Sequence, residues 1–260
     1  CENVPDPLRH PEEFLRSDGA TAVIAEIKRA SPWGVYSTVD DPAPLAQAFE
    51  CGGAAMLSVV TESSYFHGQY SDLARVKAAT TSPVLCQDII LSAYQLFEAR
   101  RNGADVVLLI AQLLSQAALN GLFERAQSLG MGVLVETHSR LDALRALEAG
   151  ALMIGVNARD LASGYVDRHV IDEVIDVVPS GVLAIAESGV RGPRDVFEYA
   201  RAGADAVLVG EALMRSDNPE ELVAEMVSAG HHPSLLADRR MRIREAHRGS
   251  DGSWSDTRRE

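Results

Sequence analysis

Lysine is nearly missing from this chain: Lys28 and Lys77 are the only two among its 24 Lys and Arg residues. Cysteine is scarce too. Cys1, Cys51 and Cys86 show no CxxC spacing and no partnered histidines, which excludes a disulfide framework and a zinc site and fits a reducing compartment. No uninterrupted apolar run approaches the length of a membrane span, and the first residues lack the basic-then-apolar order of a signal peptide. Excess positive charge is also lacking. A net charge of −13 argues against a nucleic-acid-binding surface, which needs a basic face. It does not exclude a single phosphate group, which a few backbone N–H groups at a helix start can hold. These absences point to a cytoplasmic enzyme working on a small molecule without nucleic-acid or membrane partners; a monomer or weak homo-oligomer is the expectation, on which the sequence itself is silent. Because the chain opens on Cys1 rather than Met, residues upstream are expected to be missing.

What is present is a regular alternation. Short Val/Ile/Leu/Ala-rich runs at 22–28, 55–60, 84–86, 106–110, 132–136, 152–156, 182–186 and 206–209 read as strands buried on both faces. Between them lie helical patterns such as 44–50, 93–102, 117–129, 141–148, 194–200 and 219–228. A helix-closing glycine followed by alanine and a strand recurs at Gly53, Gly103, Gly150 and Gly203, about every 50 residues, or two βα units per repeat. Eight such units in 260 residues predict an α/β fold, a single-domain (βα)8 barrel of TIM type. An open doubly wound sheet is the competing arrangement, but no GxGxxG follows the first strand. The expected layout is an N-terminal extension over 1–21 with a short helix at 11–16, the barrel over 22–230, and a C-terminal part over 231–260. In that last part 235–248 is Arg-rich and helical in pattern, and 249–260 is a polar tail expected to be disordered.

In a barrel of this kind the functional groups stand at the C-terminal ends of the strands. The first strand ends in Glu26 and Lys28, which strand alternation points the same way, followed by Ser31-Pro32. A surface ion pair and an acid–base site both fit that spacing. Later strand ends offer Thr61-Glu62, Gln87-Asp88, Glu136, Asn157 with Arg159, Glu187-Ser188-Gly189 and Gly210-Glu211. The glycines after strands seven and eight stand where such barrels bind phosphate.

Six segments in order, Ile24-Ala25-Glu26-Ile27-Lys28-Arg29-Ala30-Ser31-Pro32, Leu57 to Glu62 with Tyr65-Phe66-His67-Gly68, Leu134 to His138, Ile154 to Leu161, Ala186 to Gly189 and Val209 to Met214, resemble indole-3-glycerol phosphate synthase over about residues 11–230. The resemblance implies a cofactor-free, metal-free step of tryptophan biosynthesis. In it 1-(o-carboxyphenylamino)-1-deoxyribulose 5-phosphate closes a ring, loses carbon dioxide and then loses water. It further implies that Lys28 is the cation near the carboxylate and the departing hydroxyl, and that Glu26 sets its position. Glu136 is implied as general base or stabiliser of the positive intermediate, Asn157 and Glu187 as holders of the ribulose hydroxyls, and Arg159 as a support. Ser31, Ser188, Gly189, Gly210 and Glu211 fall around the phosphate, and Phe66 and Leu108 form apolar walls.

The third strand departs from that pattern. Family members read roughly Val-Leu-Arg-Lys-Asp-Phe, whereas this chain has Val84-Leu85-Cys86-Gln87-Asp88-Ile89. Gln87 donates a hydrogen bond but no proton, and losing a general acid typically costs about two to four powers of ten in rate. Lys28 and His67 are the candidates by position to replace it. Trp33 and Gly34 replace a small residue and a lysine, and only the last part, about 11–19, of an extension expected to cap the barrel mouth is recognisable. Alternatives are a diverged paralogue acting on a related N-aryl aminoketose phosphate, a non-catalytic phosphate-ligand-binding barrel, and a Schiff-base aldolase using Lys28.

Overall fold

The computed structural model describes residues 8–15 and 20–235. The expected helix at 235–248, beyond Leu235, and the tail at 249–260 lie outside the described residues. Eight parallel strands, β1 (Ala22–Ile27), β2 (Met56–Val60), β3 (Val84–Gln87), β4 (Val106–Ile110), β5 (Gly132–Thr137), β6 (Met153–Asn157), β7 (Leu183–Glu187) and β8 (Ala206–Val209), pair in sequence order. β1 also pairs with β8, which closes the barrel and abolishes free sheet edges. The helices are α1 (Pro11–Leu15), α2 (Ala43–Cys51), α3 (Tyr70–Ala79), α4 (Ala93–Arg101), α5 (Gln116–Ser128), α6 (Arg140–Glu148), α7 (His169–Ile175), α8 (Pro193–Ala202), α9 (Glu211–Met214) and α10 (Pro219–Gly230).

The two-residue period of the strands sorts every side chain to one of two cores. Outward residues such as Val23, Ala25, Leu57, Val59, Val107 and Val135 meet the helices in a large outer cluster. Inward residues Ile24, Met56, Leu85, Leu108, Leu134, Met153, Ile185 and Leu208 fill the barrel itself. Two residues beyond several of these apolar plugs the same inward face carries Glu26, Gln87, Glu136 and Glu187. The interior is therefore apolar below and polar at the C-terminal mouth.

Several strands end one residue later than the apolar runs suggest. Gln87, Asn157 and Glu187 are the last residues of β3, β6 and β7, held in the ladder by the pairings Val60↔Gln87 and Asn157↔Glu187. A polar side chain ends a hydrophobic pattern but not a hydrogen-bonded backbone, so pattern reading stops short. The first strand errs the other way, since Lys28 lies just past its end.

The N-terminal extension differs from expectation. Its described part closes the opposite end of the barrel: Leu15 joins the inner apolar cluster, and Arg9 N–H donates to Asp105 Oδ1 at 2.9 Å below β4. At the same end Lys77 Nζ donates to Asp105 Oδ1 at 2.6 Å and Oδ2 at 2.8 Å. The second lysine thus belongs to the fold. Among the described residues, no helix is long and apolar enough to cross a membrane.

Candidate active site

Glu26, on the inward face of β1, is 2% exposed, and its Oε1 lies 2.5 Å from Lys28 Nζ. This is a buried carboxylate holding a mouth-facing ammonium, not a solvated surface pair. Room for it comes from across the β1–β8 seam. A Cβ on Gly210 would stand 2.4 Å from Glu26 Oε1 and 3.2 Å from Lys28 Nζ, so only glycine leaves the pair where it is.

Glu136 and Glu187 lie deeper around the same ring, 3% and 2% exposed. Glu187 is pushed well above the usual carboxylate range, first by burial, then by the charge of Glu136 and a hydrogen bond with it, and by Glu26; Lys28 opposes the shift. His138 Nε2 is 3.4 Å from Glu136 Oε1. Gln87 lines the cavity with its Oε1 buried and without a donor among the described residues.

The rim is built from loops. Asn157 Oδ1 accepts from Ser188 Oγ at 2.8 Å and from Arg159 N–H at 2.9 Å, which locks the ends of β6 and β7 together. Ser188 and Gly189 both have positive φ, 66° and 77°, and turn the chain sharply after β7. Arg168 Nη2 donates to Gly189 O at 2.5 Å. Arg159 Nη1 donates to Gly164 O at 3.0 Å, and its guanidinium lies 4.9 Å from the Trp33 ring centroid. Pro32 and Trp33 form the tip of a short hairpin, Ala30–Ser31 against Gly34–Val35, that the sequence pattern did not reveal. Within it Ser31 Oγ and Tyr36 OH are 2.5 Å apart. On the facing loop Glu62 gathers the N–H groups of Ser64, Tyr65 and Phe66 at 2.8, 2.8 and 3.1 Å. Burial alone would raise its pKa, but these donors together hold it below the usual value.

One cavity of about 860 Å³ opens at the mouth, and the site residues that the family resemblance implies line it, from Glu26 and Lys28 through Ser31, Phe66, Gln87, Leu108, Glu136, Asn157, Arg159, Glu187, Ser188 and Gly189 to Gly210 and Glu211. His67 does not. It is exposed in a loop with φ 56° and its carbonyl faces Arg29. The Glu211 carboxylate pairs with Arg215 Nε at 3.2 Å, so the backbone N–H at the start of α9 is what this residue offers an anion. Asp88, expected at a strand end, also lines the cavity, as do Tyr36 and Arg215, which sequence reasoning missed. Arg215 lies over the Tyr36 ring at 4.9 Å. Asp88 accepts from Thr61 Oγ1 at 2.9 Å and Tyr70 OH at 2.7 Å. Gly155 was also missed. It carries no side chain to read, yet a Cβ there would lie 1.9 Å from Glu187 Oε1.

A buried acid–ammonium pair, two further buried carboxyls and glycine-rich turns after β7 and β8 form one mouth. Residues 2–226 match the family described as indole-3-glycerol phosphate synthase. The chain is 54% identical over 228 residues to the indole-3-glycerol phosphate synthase of Beutenbergia cavernae, covering 87% of this chain and 84% of that one. It is 53% identical over 221 residues to that of Mycobacteroides abscessus, covering 85% and 81%. The chain belongs to the indole-3-glycerol phosphate synthase family. Among solved structures, a 3-hexulose-6-phosphate synthase superimposes with a TM-score of 0.63 at 16% identity, over 80% of this chain and 99% of that one, a likeness of fold alone. As a member of the indole-3-glycerol phosphate synthase family, the chain is an enzyme of that type, a lyase that cyclises and decarboxylates. Its mouth holds one lysine, Lys28, with Gln87 at the end of β3.

Proposed function

We propose that this enzyme converts 1-(o-carboxyphenylamino)-1-deoxyribulose 5-phosphate to indole-3-glycerol phosphate in the cytoplasm, as a step of tryptophan biosynthesis, with no cofactor. The observation that carries this reading is the Glu26–Lys28 pair at 2.5 Å on the wall of a cavity that also holds Glu136 and Glu187. Lys28, seated beside a buried carboxylate, holds the substrate carboxylate and protonates the departing hydroxyl. Glu136 stabilises the positive charge that the anilino ring carries after closure. Asn157, fixed by Ser188 and Arg159, leaves its amide N–H₂ for a ribulose hydroxyl. Backbone N–H groups of Gly189 and Gly210 and the start of α9 face the phosphate. Phe66 and Leu108 sandwich the aromatic ring, and Gln87 gives the ketone oxygen a hydrogen bond without a proton.

Gln87 also supports a second reading, in which a related N-aryl aminoketose phosphate binds and takes a different path. Steady-state assay of the purified chain with the carboxyphenylamino compound, following indole fluorescence, separates the two. Turnover well above the buffer rate supports the synthase. Tight binding without indole formation favours the second reading.

A further inference from the structure

Glu136 and Glu187 stand on strands that are not neighbours, and the strand between them has no side chain at the place where one would separate them. Gly155 of β6 pairs with Glu136 of β5, while Asn157, two residues on, pairs with Glu187 of β7. A Cβ on Gly155 would lie 1.9 Å from Glu187 Oε1 and 2.9 Å from its Cδ. The Glu187 carboxyl therefore fills the space over β6, and its Oε1 is buried there without a hydrogen-bond partner among the described residues.

Charge decides what this placement means. Glu26, Glu136 and Glu187 are 2%, 3% and 2% exposed, and Lys28, the single lysine of the mouth, lies 2.5 Å from Glu26. Other polar groups surround the trio. His138 Nε2 lies 3.4 Å from Glu136 on the same strand's end. Arg159 is held by Gly164 O and stacked on Trp33. Asp88 is bonded to Thr61 and Tyr70, and Gln87 is uncharged. Burial first, and then the neighbouring carboxyls Glu136 and Glu26, disfavour the ionised form of Glu187, with Lys28 opposing. Of the three buried carboxyls, Glu187 is the one placed to carry a proton.

Resting on the synthase reading above, we propose that Glu187 is the acid of ring closure, giving the ketone oxygen the proton that Gln87 cannot supply. As the ring carbon bearing the carboxylate bonds to the ketone carbon, the C=O π electrons form the new O–H bond with the Glu187 proton. Loss of carbon dioxide returns the C–C bonding electrons to the ring. The hydroxyl then leaves as water with the Lys28 proton, while the ionised Glu187 removes a proton from the neighbouring methylene and is restored. Lys28 is recharged from solvent, so each turnover takes up one proton, as loss of a carboxylate as neutral carbon dioxide demands.

The test is a double-mutant cycle with kcat and pH profiles, using Glu187→Gln and Gln87→Lys on the full chain with the carboxyphenylamino-deoxyribulose phosphate. Glu187→Gln is expected to lower kcat by about 10²–10⁴-fold in the natural background, the worth of a general acid. In the Gln87→Lys background the loss shrinks by tenfold or more, because a lysine again supplies the proton. In the unaltered chain kcat falls on an alkaline limb that Gln87→Lys moves to higher pH, a readout that needs no Glu187 variant to fold. Equal losses in both backgrounds, or an alkaline limb that Gln87→Lys leaves in place, would overturn the proposal. No turnover by the unaltered chain at any pH would instead contradict the synthase reading on which it rests.

Discussion

Gly210 and Glu26 meet across the β1–β8 seam so closely that a Cβ on the glycine would stand 2.4 Å from the carboxylate oxygen. The clash would be with the tip of a flexible side chain, not with backbone, and Gly210 has a negative φ, −119°, so alanine meets no left-handed strain there. Gly210→Ala should therefore fold normally and still displace the Glu26–Lys28 pair. We expect kcat to fall by roughly 10²-fold, the usual cost of misplacing a catalytic group by about an ångström. The melting temperature should change little. Full activity in this variant would show that the pair does not need its present position.

Lys77 makes the opposite prediction. It is 5% exposed and held by Asp105, 1% exposed, at the closed end of the barrel far from the mouth. Lys77→Met leaves a buried carboxylate without its cation, at a cost of about 3–5 kcal/mol. Asp105 also accepts from Val84 N–H at 2.9 Å, so the loss reaches the β3–β4 ladder. Chemical denaturation should show the drop. KM for the substrate should stay the same.

Glu187 gives stability a pH dependence with a definite sign. Its folded-state pKa is raised above the ordinary 4.5, by burial first and by Glu136 next. The folded state therefore holds a proton that the unfolded chain has released. Stability from this group is fully present below about 4.5 and is lost as pH rises through the folded value. Glu187→Gln removes the titration. Its melting temperature relative to the unaltered protein should climb as pH is raised from 5 toward 8, and a difference constant with pH would contradict the burial-and-repulsion assignment.

The barrel was legible because buried parallel strands read as apolar runs and glycines close the helices before them. Glu26 and Lys28 were legible because the two-residue period puts both on one face. Other features leave no such trace. Gly155 acts through space that it leaves empty, and Gly210 reads as a phosphate turn although it also makes room for Glu26. The Trp33 hairpin depends on Gly164, φ 72°, where a Cβ would strike the indole at 2.3 Å. That contact joins residues too distant in sequence for any local pattern to register. Leu15 reads as part of an amphipathic piece with no indication of which end of the barrel it seals.

The Glu26–Lys28 pair is the centre of the proposed chemistry, and Lys28→Met tests it most directly. Indole formation should be followed by fluorescence for the unaltered chain and for this variant at saturating carboxyphenylamino-deoxyribulose phosphate. A fall in kcat of about 10²–10⁴-fold, with the fold intact by circular dichroism, is the expected result for losing a group that both donates a proton and stabilises charge. A variant turning over within tenfold of the unaltered chain would contradict it.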